Sequence, residues 1–275
     1  MREYRVKARN TAESGENRIH DDAVARRYGF RGGLVPGVTV YAYLTYPLAA
    51  AFGPAWLERG TASVRFAKPV LEGEEVLVTP RIDRHDASGL AATVVASTQA
   101  TGSCATLDAT LPAATPTPVN LAAYGTAPLP AERPEATRAH FERLGALGTP
   151  EALYDEARAA AYADSVSDPL SLYRGPDGWV HPAFLIDQAN RAIDRNVRLG
   201  PWIHTGSVVR HLGGARIGER LATRGRVRSV FERKGREFVE VDLAVVAGAR
   251  SRPVAHILHT AIYHLPPPAE ERSWT

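Results

Sequence analysis

The sequence predicts an α+β fold in which two repeats each wrap an antiparallel sheet around one long buried helix. Three observations predict it: a spacing of residues that recurs in the second half, an apolar segment of helical length in each half, and strand-like segments after each helix. The chain has 275 residues, 44% of them hydrophobic, and can bury a substantial core. The alternative is a single irregular α+β domain, which the recurring spacing disfavours.

The recurring spacing relates residues 63–76 to residues 208–221. Ser-Val-Arg-Phe runs on to Gly73-Glu-Glu-Val in the first half, and Val-Val-Arg-His runs on to Gly218-Glu-Arg-Leu in the second, with an identical separation of arginine and glycine. The same shift carries Gly37 onto Pro182, and an apolar segment follows each. Gly-Pro turns come after both segments, so three matches occur in the same order. The pattern indicates a duplicated unit.

The first apolar segment, residues 38–52, predicts a helix that is apolar on nearly all sides, as a helix enclosed by a sheet would be. Pro47 is expected to end or kink it. Runs rich in Val, Thr and alternating apolar positions predict three strands in each half. These strands are 74–82, 90–99, 104–111, 220–230, 236–246 and 255–265, with hairpin turns at 87–89 and 233–236.

These elements divide the chain into three predicted parts. Residues 1–111 form a first repeat, and residues 151–275 form a second repeat that is expected to lack an active site of its own. Residues 112–150 are rich in Pro and Ala and are interpreted as a surface linker with one short helix at 134–147.

Charge and hydropathy exclude several classes of function. The net charge is only +3, with no long basic run, which gives no case for nucleic-acid binding. No segment approaches the roughly 20 apolar residues that span a bilayer, and the charged start lacks the apolar stretch of a signal peptide. We therefore expect a cytoplasmic protein without a membrane partner.

Cysteine and histidine patterns give no case for a metal or cofactor. Cys104 is the only cysteine, which excludes an intrachain disulfide, and its strand-like surroundings predict a small packed residue. The histidines at 211, 256, 259 and 264 alternate with apolar residues and lack the spacing of metal ligands. His204, a lone histidine between apolar residues, is predicted to be structural.

The segment before the first helix concentrates polar residues. It contains Gly15-Glu16-Asn17-Arg18-Ile19-His20, then Ala25, Gly29-Phe30 and Val35-Pro36-Gly37. Asp21 and Asp22 are suited to begin a short helix over 23–28, which Gly29 would end. The positive end of that helix disfavours a charged His20, whereas the two aspartates favour it. Taken alone, these residues also fit a capped surface turn.

This segment resembles the signature of MaoC-like (R)-specific enoyl-CoA hydratases. Those enzymes carry Gly-Asp-x-Asn-Pro-[Leu/Ile]-His, then an alanine, a Gly-Phe and a glycine that opens the central helix. Here Glu16 replaces the aspartate, one residue is missing before Asn17, and Arg18 replaces the proline. The resemblance covers about residues 14–75 by motif and the rest only by architecture. It implies a double hot-dog fold.

The resemblance also implies a hydro-lyase that dehydrates 3-hydroxyacyl thioesters, or hydrates enoyl thioesters, carried by coenzyme A or acyl carrier protein. This reaction needs a base for the α-proton, an acid for the departing hydroxyl and polarisation of the carbonyl. His20 and Glu16 are the candidates for acid and base. Gly37, with Val38 beside it, is expected to bind the carbonyl through the backbone. Asn17 is expected to belong to the substrate-binding residues and to orient the water or the dyad of His20 and Glu16.

The second half supplies a rival to Glu16. Ser165 stands where His20 would recur, but His181-Pro-Ala-Phe-Leu-Ile-Asp187 is similar to the His-Pro-Ala-Leu-Leu-Asp motif of polyketide dehydratase domains, with one residue inserted. In those domains this aspartate faces a histidine of the first hot dog. Asp187 is therefore a second candidate for the catalytic carboxylate, and Asn190 for substrate binding. Against this, Asp187, Asn190, Arg191 and Asp194 share one helix face, which is typical of a solvated surface.

Two other functions stay open. A hot-dog acyl thioesterase would use a carboxylate-activated water on the same substrates, and a non-catalytic protein would only hold the acyl group. In each case the expected partner is a small acyl thioester, whose phosphates would meet Arg or Lys at the mouth of the pocket. A homodimer is also compatible with the sequence.

Overall fold

The computed structural model describes residues 1–12 and 15–265. Its helices are α1 (Asp22–Arg27), α2 (Gly37–Phe52), α3 (Pro54–Arg59), α4 (Arg138–Arg143), α5 (Glu156–Ser165) and α6 (Pro182–Asp194), with 3-10 turns at Arg18–His20, Leu121–Ala123 and Ser171–Tyr173. Its strands are β1 (Tyr4–Lys7), β2 (Thr61–Phe66), β3 (Glu75–Asp86), β4 (Gly89–Thr98), β5 (Gly102–Pro112), β6 (Glu151–Leu153), β7 (Ile203–His211), β8 (Arg220–Arg233), β9 (Arg236–Ala247) and β10 (Arg252–His264).

The strands form one ten-stranded antiparallel sheet in the order β1-β3-β4-β5-β2-β7-β10-β9-β8-β6. The first half of the chain supplies the first five strands and the second half the other five. They meet where β2 pairs with β7, and this register places Thr61 opposite Arg210 and Arg65 opposite Gly206. The two arginines that revealed the repeat in the sequence therefore lie on the two central strands.

Each half places one helix against the sheet, and α2 packs against α6. Helix α2 is buried along most of its length, with Tyr41, Leu44 and Leu48 completely enclosed. Helix α6 has a buried apolar side and a second side that carries Asp187, Asn190 and Arg191. Because the helices are the central elements of the two halves, their contact creates one continuous core.

The structure confirms the predicted α+β class and differs from the sequence predictions in detail. Pro47 does not end α2, which continues to Phe52. The helix predicted over 134–147 is confined to Arg138–Arg143, and its Phe141 is buried in the core. Strand β10 begins three residues before the predicted strand, and residues 266–275 lie outside the described part of the chain.

Among the described helices, none combines the length and apolar composition needed to cross a membrane.

Candidate active site

A cavity of about 760 Å³ is lined by both halves of the chain. Its walls come from the polar segment before α1, the start of α2, the end of β2, the polar side of α6 and the start of β7. The residues singled out in the sequence all line this one cavity: Glu16, Asn17, His20, Gly37, Val38, Asp187 and Asn190.

The segment that carries His20 is held by local hydrogen bonds. Asn17 caps the 3-10 turn by accepting from Ile19 N–H, and Asp21 caps α1 by accepting from Val24 N–H. The His20 carbonyl accepts from the side chain of Asn10 at 2.8 Å. A Cβ on Gly33 would lie 2.2 Å from that same carbonyl oxygen, so only glycine fits there. The imidazole is therefore presented from a rigid turn.

The hydrogen bonds of His20 fix its tautomer. Nδ1 lies 2.6 Å from the Leu34 carbonyl oxygen, which can only accept, so Nδ1 carries the proton. Nε2 then accepts from the Asn17 amide at 3.2 Å. Burial lowers the pKa of His20 below 6.5, and the bond to Leu34 opposes this shift. The ring is neutral at pH 7 and holds its basic nitrogen, Nε2, on the side of Asn17.

All the hydrogen-bonding capacity of Asn17 is used within the protein. Its Oδ1 accepts from Ile19 N–H at 3.3 Å and from Trp202 N–H at 3.1 Å. Its Nδ2 donates to the Trp202 carbonyl at 3.0 Å and to His20 Nε2 at 3.2 Å. These four hydrogen bonds favour a role of Asn17 in positioning His20, and its contact with a substrate stays a prediction.

Glu16 points to a different partner. Its carboxylate accepts from Arg133 Nη2 at 2.9 Å, and its side chain is 72% exposed. Arg133 also donates to the side chain and the carbonyl of Asp194 at the end of α6. Within the described residues, no hydrogen bond joins Glu16 to His20. Glu16 thus lies at the rim of the cavity, where it forms an ion pair with Arg133.

Asp187 lies inside the cavity on α6. Its carboxylate accepts from Asn190 Nδ2 at 3.1 Å and from Arg191 Nε at 3.4 Å, and its side chain is 24% exposed. Burial raises the pKa of Asp187, with Arg191 and Asn190 opposing that shift. The face of α6 that resembled a solvated surface is instead a wall of the cavity, because Asp187, Asn190, Arg191 and Asp194 all line it.

The first turn of α2 adds backbone donors to the same cavity. Pro36 precedes the helix and supplies no side-chain cap. In the part of the chain that the structure describes, the N–H groups of Gly37 and Val38 have no hydrogen-bond acceptor. A Cβ on Gly37 would lie 2.9 Å from His204 Nδ1 and 3.1 Å from Phe66 Cε2. Glycine is therefore required by close packing against these two rings.

Two cavity residues and one neighbour of the cavity were not candidates from the sequence. His204, expected to be structural, is buried and also lines the cavity beside Gly37. Tyr162 lines the cavity with a buried hydroxyl that has no partner in the described structure, and Arg133, in the segment between the repeats, pairs with Glu16. The apolar neighbours of His204 suggested a core position, and nothing in the composition of residues 112–150 singled out one arginine.

His181, by contrast, has a structural role. Its Nδ1 caps α6 by accepting from Ala183 N–H at 3.1 Å, and its Nε2 lies 3.2 Å from the buried carboxylate of Asp168. Ser165 lines the cavity and donates to the Tyr162 carbonyl. Among residues 1–12 and 15–265, no group of three or more His, Cys, Asp or Glu side chains could hold a metal ion.

Comparison with known proteins gives a structural match only. No protein-family model and no curated protein sequence matches the chain. A solved structure described as a MaoC-like dehydratase aligns with a TM-score of 0.61 and 14% identity, over 96% of this chain and 98% of that one. A Mycobacterium tuberculosis protein described as having a double hotdog fold aligns with a TM-score of 0.62 and 14% identity, over 95% of each chain.

Proteins described as thioesterases align as well. One from Novosphingobium aromaticivorans has a TM-score of 0.54 and 12% identity, with 96% of each chain covered. At such identities the likeness establishes architecture and leaves the reaction open. The chain has the double hot-dog fold.

Proposed function

We propose that the chain is a hydro-lyase that dehydrates 3-hydroxyacyl thioesters or hydrates the corresponding enoyl thioesters. One observation carries the proposal: a neutral histidine from the first repeat and a largely buried carboxyl group from the second line the same cavity beside the start of α2. Their pKa values are shifted in opposite directions, since burial lowers that of His20 and raises that of Asp187. Such opposed shifts are the usual sign of an acid and base pair.

His20 is the base for the proton on C2 of the substrate. Its neutral ring offers the lone pair of Nε2, which now accepts from Asn17 at 3.2 Å, at the long end of the normal hydrogen-bond range. Before the proton can be transferred, the C2–H group of the substrate must take the place of the Asn17 N–H at His20 Nε2. His20 then becomes an imidazolium ion, still bonded through Nδ1 to Leu34.

Asp187 is the acid for the hydroxyl on C3. Its raised pKa favours the protonated form, which gives its proton to the departing oxygen. The C2–H and C3–O bonds break, the C2–C3 double bond forms and water leaves. The proton on His20 then returns to the Asp187 carboxylate through the released water, and hydration follows the same steps in reverse.

The start of α2 is the binding site for the thioester carbonyl. Charge builds up on this oxygen as the C2 proton leaves, and the N–H groups of Gly37 and Val38 lie at the positive end of a 16-residue helix. The exposed side chains of Lys68, Arg195 and Arg236 also line the cavity and are candidates for the phosphates of coenzyme A or a carrier-protein arm. The second repeat has Ser165 where a counterpart of His20 would stand, so it contributes Asp187 to the shared site and has no separate active site.

The test is turnover of defined thioesters by the full chain. We expect an enoyl-CoA to be hydrated by the wild-type protein, and the His20→Ala and Asp187→Asn variants to be inactive, whereas Glu16→Gln retains activity. Release of free thiol from a saturated acyl-CoA would identify a thioesterase instead. Tight binding without either reaction would identify a protein that only holds the acyl group.

A further inference from the structure

The cavity wall beside α2 contains a buried polar array whose hydrogen bonds are incomplete. His204 Nε2 lies 2.9 Å from Ser207 Oγ, and Ser207 Oγ lies 2.9 Å from His259 Nδ1. The two imidazole rings stack with their centroids 4.1 Å apart. The outer nitrogens, His204 Nδ1 and His259 Nε2, have no partner among the residues that the structure describes.

Both rings of the array are neutral. Burial lowers the pKa of His204 well below 6.5, with His259 adding to the effect and the Gly206 backbone opposing it. Burial alone lowers the pKa of His259 to about 3. Each ring therefore carries a single N–H, and Ser207 contributes one O–H.

In each arrangement of these protons, one donor lacks an acceptor. If Ser207 donates to His204 Nε2, its oxygen accepts from His259 Nδ1–H, and the remaining proton lies on His204 Nδ1. If Ser207 donates to His259 Nδ1, the remaining proton lies on His259 Nε2, and if both rings donate to Ser207 Oγ, the hydroxyl hydrogen is left over. A buried donor without an acceptor is costly, so the array needs one more oxygen.

An oxygen of a ligand in the cavity would meet the array at His204. His204 lines the cavity, whereas Ser207 and His259 lie behind it. His204 Nδ1 is next to the first turn of α2, since a Cβ on Gly37 would lie 2.9 Å from it. Nδ1 is itself buried, and Phe66, which also lines the cavity, packs edge-on against the imidazole with a centroid distance of 4.7 Å, so we expect the Phe66 ring to move when a ligand atom contacts Nδ1.

We propose that His204 donates a hydrogen bond from Nδ1 to the carbonyl oxygen of the acyl ligand, and that Ser207 and His259 hold the proton on that nitrogen. The identity of the ligand as an acyl thioester rests on the proposed function. His204 and the N–H of Gly37 then form a two-donor site for the oxygen on which charge develops. A neutral imidazole at a helix N-terminus is an effective electrophile of this kind. Ser207 and His259 are positioning residues.

The first experiment compares two inert probes on the full chain by calorimetry. A 2-oxoalkyl-CoA thioether keeps the carbonyl and cannot be dehydrated or hydrolysed, and an alkyl-CoA thioether of equal length lacks the oxygen. His204→Phe should weaken binding of the ketone about tenfold and leave the alkyl probe unchanged. His204→Asn, which keeps an amide near the position of Nδ1, should restore part of the loss.

The matched control is His211→Phe. His211 is also a buried histidine on β7, but it packs against Trp56 away from the cavity. This variant should bind both probes as the wild type does. Equal effects of His204→Phe on the two probes, or no effect on either, would overturn the proposal.

The second experiment starts from the unmodified chain. Nitrogen-15 NMR of the wild-type histidine side chains should show His204 Nδ1 protonated and His259 Nε2 unprotonated when the ketone is bound, and Ser207→Ala should abolish this pattern. An unprotonated His204 Nδ1 in the complex overturns the proposal. Selective binding of the ketone without turnover would contradict the proposed hydro-lyase activity and support the carbonyl site at His204. Turnover without selective binding of the ketone would support the hydro-lyase activity and contradict the carbonyl site. Failure to bind either probe would contradict both.

Discussion

The side chain of Asn17 holds the backbone of Trp202 through both ends of its amide. Trp202 N–H donates to Oδ1 at 3.1 Å, and Nδ2 donates to the Trp202 carbonyl at 3.0 Å. Asn17 belongs to the segment before α1 and Trp202 to the segment that leads into β7, so the pair joins the two repeats beside the cavity. Because Nδ2 also reaches Nε2 of His20, the second repeat fixes the position of the histidine of the first.

Asn17→Ala should lower kcat/KM by at least about tenfold and destabilise the fold by about 1–3 kcal/mol, because it leaves the Trp202 backbone groups unpaired. Kinetics and urea unfolding measure the two effects. Asn120→Ala is the matched control, since Asn120 caps another 3-10 turn through the same side-chain contact. Equal losses of activity in the two variants would show that Asn17 only caps its turn.

Asp187→Asn should reduce kcat by at least about 100-fold, which is the usual contribution of a general acid. Glu16→Gln should cost less than about fivefold, because it removes only an exposed ion pair with Arg133. Steady-state kinetics on one thioester compares them directly. If Glu16→Gln is the more damaging variant, the catalytic carboxylate belongs to the first repeat.

The activity should fall on the acid side as His20 becomes protonated. Because burial lowers the pKa of this base, the acidic limb of kcat/KM should lie below pH 6.5. On the alkaline side, activity should decline as pH rises through the raised pKa of Asp187. A pH profile of kcat/KM measures both limbs, and an acidic limb centred above pH 6.5 would be inconsistent with His20 as the base.

The stability of the fold should fall in acid because of buried histidines. His211 is fully buried, both its ring nitrogens lack partners in the described structure, and burial lowers its pKa from 6.5 to about 4. This lowered pKa makes the free energy of unfolding about 3 kcal/mol larger above pH 6.5 than below pH 4. The difference is lost as pH falls from 6.5 towards 4. Urea unfolding between pH 7 and pH 4 should show a smaller decline for His211→Phe. An unchanged decline would mean that this histidine is not buried in its neutral form.

Gly37→Ala should lower kcat/KM about tenfold, because its Cβ would crowd His204 Nδ1 and Phe66 Cε2. Gly200→Ala provides the control, since a Cβ there meets nothing within 4 Å. The measurement is kcat/KM of the two variants on one thioester. Full activity of Gly37→Ala would show that the start of α2 tolerates a side chain and does not bind the carbonyl.

The repeat and the central helices could be predicted because they rest on periodicity. An internal spacing fixed by duplication and an apolar segment without a polar side are visible in the sequence before any contact is known. Pro47 was expected to end or kink α2, and it does not end it. The helix simply continues past it, enclosed by the sheet, which shows that tertiary packing overrode the local preference.

Several residues that line the cavity were identified from the sequence, but the contacts between them were not. His20 and Asp187 were identified by motif, but the ion pair between Glu16 and Arg133 joins residues 117 positions apart and depends on the folded chain. The polar side of α6 was ambiguous for a physical reason: solvent and a polar cavity select the same residue types. The array of His204, Ser207 and His259 depends on the register of β7 with β10, which no local pattern reveals.

The central claim is that His20 and Asp187 act on one substrate from opposite repeats, and a structure of the Asp187→Asn variant with a bound 3-hydroxyacyl-CoA tests it most directly. We predict the 3-hydroxyl within about 3.2 Å of the amide at position 187, with C2 facing His20 Nε2. A 3-hydroxyl bound at Glu16, or an acyl chain that lies outside the shared cavity, would contradict the account.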